Sequence, residues 1–397
     1  MDEGITIIIP TCDGGPVFFE CLQMIRQQVY DGPIQLMVVD SGSSDRTPEL
    51  AESMGAVVKH IKREDFHHAR TRNAALAMAA FDQVLFMVQD AVPVSEEWLS
   101  RLTAALHESG AAAVYTDQIP HDTATLYARF ETESISQARG DQPVMQQIAS
   151  LESFQEMPYD RAYRTINLDN VCAIYRKELL VSHPFPETAF AEDMAWALQM
   201  LFGGWKILYH PDIKVRHSHN RTPEYGFRRQ IINSVWAARI MNRTETDLSF
   251  LKVRDLIALT ARTAQFVEQQ KAAIPTEKGK CGRKGKGRQR GLGQMLRASS
   301  LENRMMWLLY QGIASARFSS APFKAIGEDT EGRIQSIVNA IIERYHPTDM
   351  TELAGTLDQV SANTLGRIYG ETYASCIVNG KIPSAIVRLM RPFMSGV

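Results

Sequence analysis

Ile5 to Ile9 is an unbroken run dominated by β-branched residues, and apolar runs recur at Ile34–Val39 and Val84–Val88. Runs this short, with no in-out alternation, fit strands buried on both faces, which is the condition of a parallel sheet. Helical spacing follows at Phe18–Tyr30 and Thr47–Met54, and Gly55-Ala56-Val57-Val58 starts another strand. The order is β-α-β-α-β, an α/β fold whose ligand loops lie at the C-terminal ends of the strands. Ala111–Thr116 and Asn170–Tyr175 read as further strands. The polar stretch 120–165 between them reads as an excursion with short helices.

The first strand-to-helix turn is Pro10-Thr11-Cys12-Asp13-Gly14-Gly15. It lacks the G-x-G-x-x-G spacing that lets a pyrophosphate approach a helix N-terminus, so a dinucleotide site is not expected there. Acids at strand ends stand out instead. Asp40 closes the second strand; its carboxylate suits either a nucleobase or ribose contact, or simply the turn chemistry of Asp40-Ser41-Gly42-Ser43-Ser44-Asp45. Arg72 and Asn73 precede a helix read at Ala74–Ala80, where they can meet phosphate and ribose oxygens or act as a solvated arginine and a cap. Asp90, in Gln89-Asp90-Ala91, sits at the tip of a buried strand. An oxygen-seeking Mg²⁺ or Mn²⁺ carrying a diphosphate could bind there.

The richest stretch is Phe190–Asn220. Glu192-Asp193 opens a helical pattern that Gly203-Gly204 stops. Trp205–Tyr209 and Ile213–Val215 read as short strands leading to His217-Ser218-His219. A carboxylate at a helix start can act as a base in a cleft, and a histidine returning to that cleft can bind a cation. The alternatives are a helix cap and a surface turn.

Composition narrows the class. The chain has 397 residues, 45% apolar and 22% charged, with a net charge of −2, so bulk electrostatics do not favour nucleic acid. Five scattered cysteines lack metal-ligand spacing, as expected of reduced thiols in a cytoplasmic setting. No run approaches the ~18 apolar residues of a membrane span, so membrane contact is expected only at the periphery.

Five motifs occur in one order: IIIPT, VVDSGSSDRT, FHHARTRNAA, MVQDAVP, and FAEDMAW followed by VRHSHN. Together, over about residues 4–240, they resemble family 2 glycosyltransferases of GT-A fold, and most of all the bacterial rhamnosyltransferase branch. The resemblance implies a nucleotide-sugar donor bound by Asp40, with Pro10, Thr11 and Asp13 beside it, and Arg72 and Asn73 on the ribose-phosphate side. Gln89 and Asp90 stand where the family carries D-x-D, with Asp90 the surviving acid. His217, or alternatively His219, would join Asp90 on Mg²⁺ or Mn²⁺. Asp193, paired with Glu192, would be the base of an inverting transfer to a hydroxyl of a surface glycan or its lipid-linked precursor. Trp196 would offer its ring to a sugar. The single acid in Gln89-Asp90-Ala91 also admits a non-catalytic nucleotide-sugar-binding or scaffold protein.

The expected layout is a catalytic domain over 1–245, a helix and basic linker over 246–294, and an all-α region over 295–397. Lys278–Arg290 holds seven basic residues and no acids. It suits a solvated linker or an anionic lipid surface; nucleic acid is disfavoured because no aromatic residues interleave. The C-terminal helices suit oligomerisation, membrane docking or acceptor binding.

Overall fold

The computed structural model describes residues 4–274 and 321–394. The Lys278–Arg290 segment and residues 295–320 of the expected all-α region lie outside the described residues.

The first compact unit comprises residues up to Thr123 and Glu131–His219. Its strands are β1 (Ile5–Thr11), β2 (Ile34–Asp40), β3 (Val57–His60), β4 (Gln83–Met87), β5 (Val92–Pro93), β6 (Ala113–Ile119), β7 (Val144–Gln146), β8 (Cys172–Arg176) and β9 (Ile207–Arg216). They form one mixed sheet in the order β3-β2-β1-β4-β8-β6-β9-β5, with β7 also on β9. The β1, β2, β3 and β4 pairings are parallel, as the apolar runs of β1, β2 and β4 lead one to expect, with β3 a partly exposed edge strand. Ile5, Ile7, Ile8 and Ile9 are wholly buried, as are Val84, Leu85 and Phe86.

Register positions the loops. Thr11 lies opposite Asp40 at the ends of β1 and β2. Met87 lies opposite Cys172, which brings residues 169–171 beside the end of β4. Val92 pairs with Arg216, so the turn containing Asp90 adjoins His217.

Three local readings change. The helix expected from Ala74 runs instead over His68–Leu76, because the His67 ring caps it by accepting the Arg70 N–H at 3.4 Å. The two short strands expected at Trp205–Tyr209 and Ile213–Val215 are one element, β9, which begins at Ile207, leaves out Trp205 and Lys206, and passes through Pro211. The register against β6 jumps there, from Thr116–His210 to Asp117–Lys214. A bulge of this kind is where a strand tolerates proline. The excursion at 120–165 contains a 14-residue helix, Leu126–Arg139.

The second unit comprises Ala124–Phe130 and residues from Asn220 onward, so the compact units divide at 219/220 rather than near 245. The reason is the helix Pro223–Met241, which packs along the helix Met350–Val378. Gly366 permits that approach: a Cβ there would lie 2.3 Å from the Phe227 carbonyl oxygen. Helices Val253–Ala273, Ala321–Tyr345 and Ser384–Met390 also belong to this unit, with Leu256, Val267, Ile334, Ile341 and Ile386 buried. Among the described residues no helix is long and apolar enough to cross a membrane.

Candidate active site

At the β1 and β2 ends, Asp40 is 2% exposed and accepts the Gly42 and Ser43 N–H groups at 3.2 Å each. The Ser43 hydroxyl and, at 3.4 Å, the Thr11 hydroxyl also donate to it. The turn chemistry expected of Asp40 is what these bonds make: the carboxylate shapes the Asp40–Asp45 turn at the mouth of the sheet. Asp13 adopts a left-handed conformation (φ 50°), tolerable for aspartate. Its carboxylate accepts the Ser44 N–H at 2.6 Å and Arg63 Nη2 at 2.8 Å. Those bonds, led by the Ser44 amide, hold the exposed carboxyl below its ordinary value. Arg63 escaped the sequence reading; a lone arginine after a short edge strand carries no spacing signal.

Gln89 is committed to the backbone. Its Oε1 accepts the Cys12 N–H at 2.8 Å and its Nε2 donates to the Cys12 carbonyl at 3.1 Å. Where an acid would face a cation, the amide instead ties the β4 end to the β1 turn.

Arg72 and Asn73, expected beside ribose and phosphate, point inward, because the helix begins before them rather than after. Asn73 makes a reciprocal pair with the Phe185 backbone, 2.9 Å to its oxygen and 3.0 Å from its nitrogen. Arg72 is 4% exposed and its Nη1 lies 2.7 Å from Glu192 Oε1. Burial opposes ionisation of Glu192, but Arg72, with help from His68, brings its carboxyl below the ordinary value.

Ala191 precedes this helix (Glu192–Phe202) in a left-handed conformation (φ 59°), a strain of about 1–2 kcal/mol for a residue with a Cβ. The strained turn presents Glu192 and Asp193 in succession. Asp193 is half-buried and accepts the Met194 N–H at 2.8 Å and the Asn170 N–H at 3.2 Å. Burial first, then the neighbouring Glu192 and Asp169 charges, push its carboxyl up to about 7. Two adjacent carboxylates are thus driven apart in proton affinity by which of them holds the arginine.

Trp196 does not face an open cleft. It is 0% exposed, donates its ring N–H to the His183 carbonyl at 2.7 Å, and packs edge-on against Tyr175. Position i+3 from Asp193 falls on the buried stripe with Met200, so the expected sugar contact is corrected to a core role.

Asp90, His217 and His219 converge: Asp90 Oδ1 is 3.7 Å from His217 Nε2, and Asp90 Oδ2 is 3.4 Å from His219 Nδ1. One ligand atom from each residue lies within 4.8 Å of the others. One carboxylate and two imidazoles form a mixed O/N set that fits Mn²⁺ better than Mg²⁺. Behind His217, Nδ1 lies 2.8 Å from Gln118 Oε1. Gln118 Nε2 donates to Asp169 at 2.6 Å, and Asp169 pairs with Arg139 at 2.8 Å. Gln118 and Asp169 also escaped the sequence reading. Gln118 does carry the signal that marked Asp40 and Asp90, a polar side chain at the end of an apolar strand.

The chain as a whole is similar to known proteins. A family-wide match to "Glycosyl transferase family 2" spans residues 6–181. The chain is 33% identical over 245 residues to the O-antigen chain rhamnosyltransferase RfbN of Salmonella typhimurium, covering 59% of this chain and 72% of that relative. It is 32% identical over 242 residues to the O-antigen chain rhamnosyltransferase WbaN of Salmonella anatum, covering 59% and 72% respectively. Among solved structures, a mannosyltransferase from Pyrobaculum calidifontis in complex with GDP-Man and Mn²⁺ is similar at 18% identity and a TM-score of 0.44, over 91% of this chain and 87% of that one. That likeness is too loose to carry function.

Proposed function

The chain belongs to glycosyl transferase family 2, in its rhamnosyltransferase-like branch and with its GT-A fold, and from that premise we propose an inverting, cation-assisted transfer. A deoxyhexose such as rhamnose moves from a nucleoside diphosphate to a hydroxyl of a growing surface glycan or its lipid-linked precursor. The acceptor class rests on the names of the two Salmonella relatives, which are called O-antigen chain rhamnosyltransferases.

The observation that carries this reading is Asp193. It opens the helix Glu192–Phe202 half-buried and held by the Met194 and Asn170 N–H groups, and its carboxyl, which burial pushes up to about 7, suits a general base near neutral pH. Asp193 takes the proton of the acceptor hydroxyl as that oxygen bonds to the anomeric carbon. The bond from that carbon to the diphosphate oxygen breaks, its electron pair leaves with the diphosphate, and the configuration inverts. Glu192, locked to Arg72, stays ionised and keeps Asp193 basic. Asp40, Thr11 and Asp13 line the base and ribose end of the donor. Asp90, His217 and His219 would hold a divalent cation, which when bound offsets charge on the leaving diphosphate.

The test is nucleoside diphosphate release from a panel of nucleotide-sugars, with Mn²⁺, Mg²⁺ or EDTA. Slow Mn²⁺-dependent release from one donor, lost in Asp90→Ala and reduced ~10²-fold or more in Asp193→Asn, is expected. Release indifferent to EDTA would remove the cation. Saturable donor binding without turnover, across a broad acceptor set, would favour a non-catalytic binder.

A further inference from the structure

His217 has two ring nitrogens, and the structure distinguishes them. Nε2 faces Asp90 and Nδ1 faces Gln118 Oε1 at 2.8 Å. Which nitrogen of a neutral imidazole carries the proton is set by the hydrogen bond the ring makes on its other side.

Gln118 has no choice of orientation. Its terminal nitrogen lies 2.6 Å from Asp169 Oδ2, and an ionised carboxylate only accepts. The amide NH₂ must therefore face Asp169 and the amide oxygen must face His217. Asp169 is fixed in turn: Arg139 Nη2 lies 2.8 Å from the same carboxylate oxygen, and the Val171 N–H donates to the other at 3.0 Å. Burial works against that charge, but Arg139 more than offsets it and holds the Asp169 carboxyl below its ordinary value.

We propose that Gln118, anchored by Asp169, is a positioning residue that fixes neutral His217 as its Nδ1–H tautomer and leaves the Nε2 lone pair facing Asp90, ready for a divalent cation. The cation half rests on the function proposed above; the tautomer half does not. The chain of bonds gives His217 a prepared role that the sequence left shared with His219. It also joins the two halves of the site. Asp169 anchors the cation side, and the next residue, Asn170, donates its N–H to Asp193.

The experiment uses the metal-free 397-residue chain with ¹⁵N-labelled histidine at about pH 8, above the ordinary histidine value. Two-bond ¹H–¹⁵N spectra report the tautomer, and His217→Gln assigns the signal. Wild type is expected to show Nδ1–H at His217. Gln118→Leu, checked for wild-type circular dichroism, is expected to lose that preference and to bind Mn²⁺ ~10–100-fold more weakly. An Nε2–H ring in wild type, or an unchanged tautomer and Mn²⁺ affinity in Gln118→Leu, would overturn the proposal. Wild type with the Nδ1–H tautomer but no Mn²⁺ affinity would support the role of Gln118 and overturn the cation reading, so the two failures are read separately.

Discussion

Arg72 Nη1 sits 2.7 Å from Glu192 Oε1, with the two side chains 4% and 6% exposed. A charge pair this deep is costly to break from one side. The surviving partner stays buried without compensation, at about 3–5 kcal/mol. Arg72→Met is therefore expected to lower unfolding stability by that order. Glu192→Met in the same chain should recover much of the loss. Urea unfolding of both single variants and the double variant measures the coupling; additive losses would refute it.

Burial, with the neighbouring Glu192 charge after it, also sets a pH dependence. Asp193 in the folded chain titrates at about 7, against an ordinary value of 3.8. Its contribution to stability is fully present below about 3.8 and is lost as pH rises through about 7. Activity runs the other way, because the base must be ionised. The kcat/KM profile should climb to a plateau above about pH 7. Glu192→Gln removes the neighbouring charge and should move that limb to lower pH. A limb that does not move would mean that Glu192 does not tune Asp193.

Trp196 separates a packing role from a substrate role. Trp196→Ala should destabilise the fold by ~3–5 kcal/mol, the range for emptying a large core site. Thermal unfolding reads that loss. An unchanged melting temperature with a raised acceptor KM would instead restore the sugar-stacking role.

Asp13 clasps two loops through Ser44 and Arg63. Asp13→Ala should raise the donor KM while leaving kcat close to wild type, and should cost about 1–2 kcal/mol of stability because alanine is strained at φ 50°. Steady-state kinetics with saturating acceptor gives the split.

Gly366 holds the helical unit together. Any side chain there meets the Phe227 carbonyl at 2.3 Å, and backbone cannot swing aside as a flexible side chain can. Gly366→Leu should cost ~1–3 kcal/mol or more. Hydrogen exchange should show the loss concentrated in helices Pro223–Met241 and Met350–Val378.

The sequence by itself determined the sheet and the candidate acids. Ile5–Ile9, Ile34–Val39 and Val84–Val88 are apolar enough that only burial on both faces satisfies them. Thr11, Asp40 and Asp90 follow at the ends of such runs, where a parallel sheet opens. Glu192-Asp193 and His217-Ser218-His219 were legible for the same local reason, polar groups at the borders of periodic segments. What each side chain faces was not local. Trp196 and Asn73 differ little in sequence context from ligand-binding residues, and helix phase alone turned them inward. Only the tertiary structure decided which of two adjacent carboxylates received Arg72, 120 residues away, and so which was left to hold a proton near neutrality. Gln118 took its meaning in the same way, from Asp169 and His217, 51 and 99 residues distant. Proton affinity and tautomer depend on charges and hydrogen-bond partners within a few ångströms, and long-range packing brings those together.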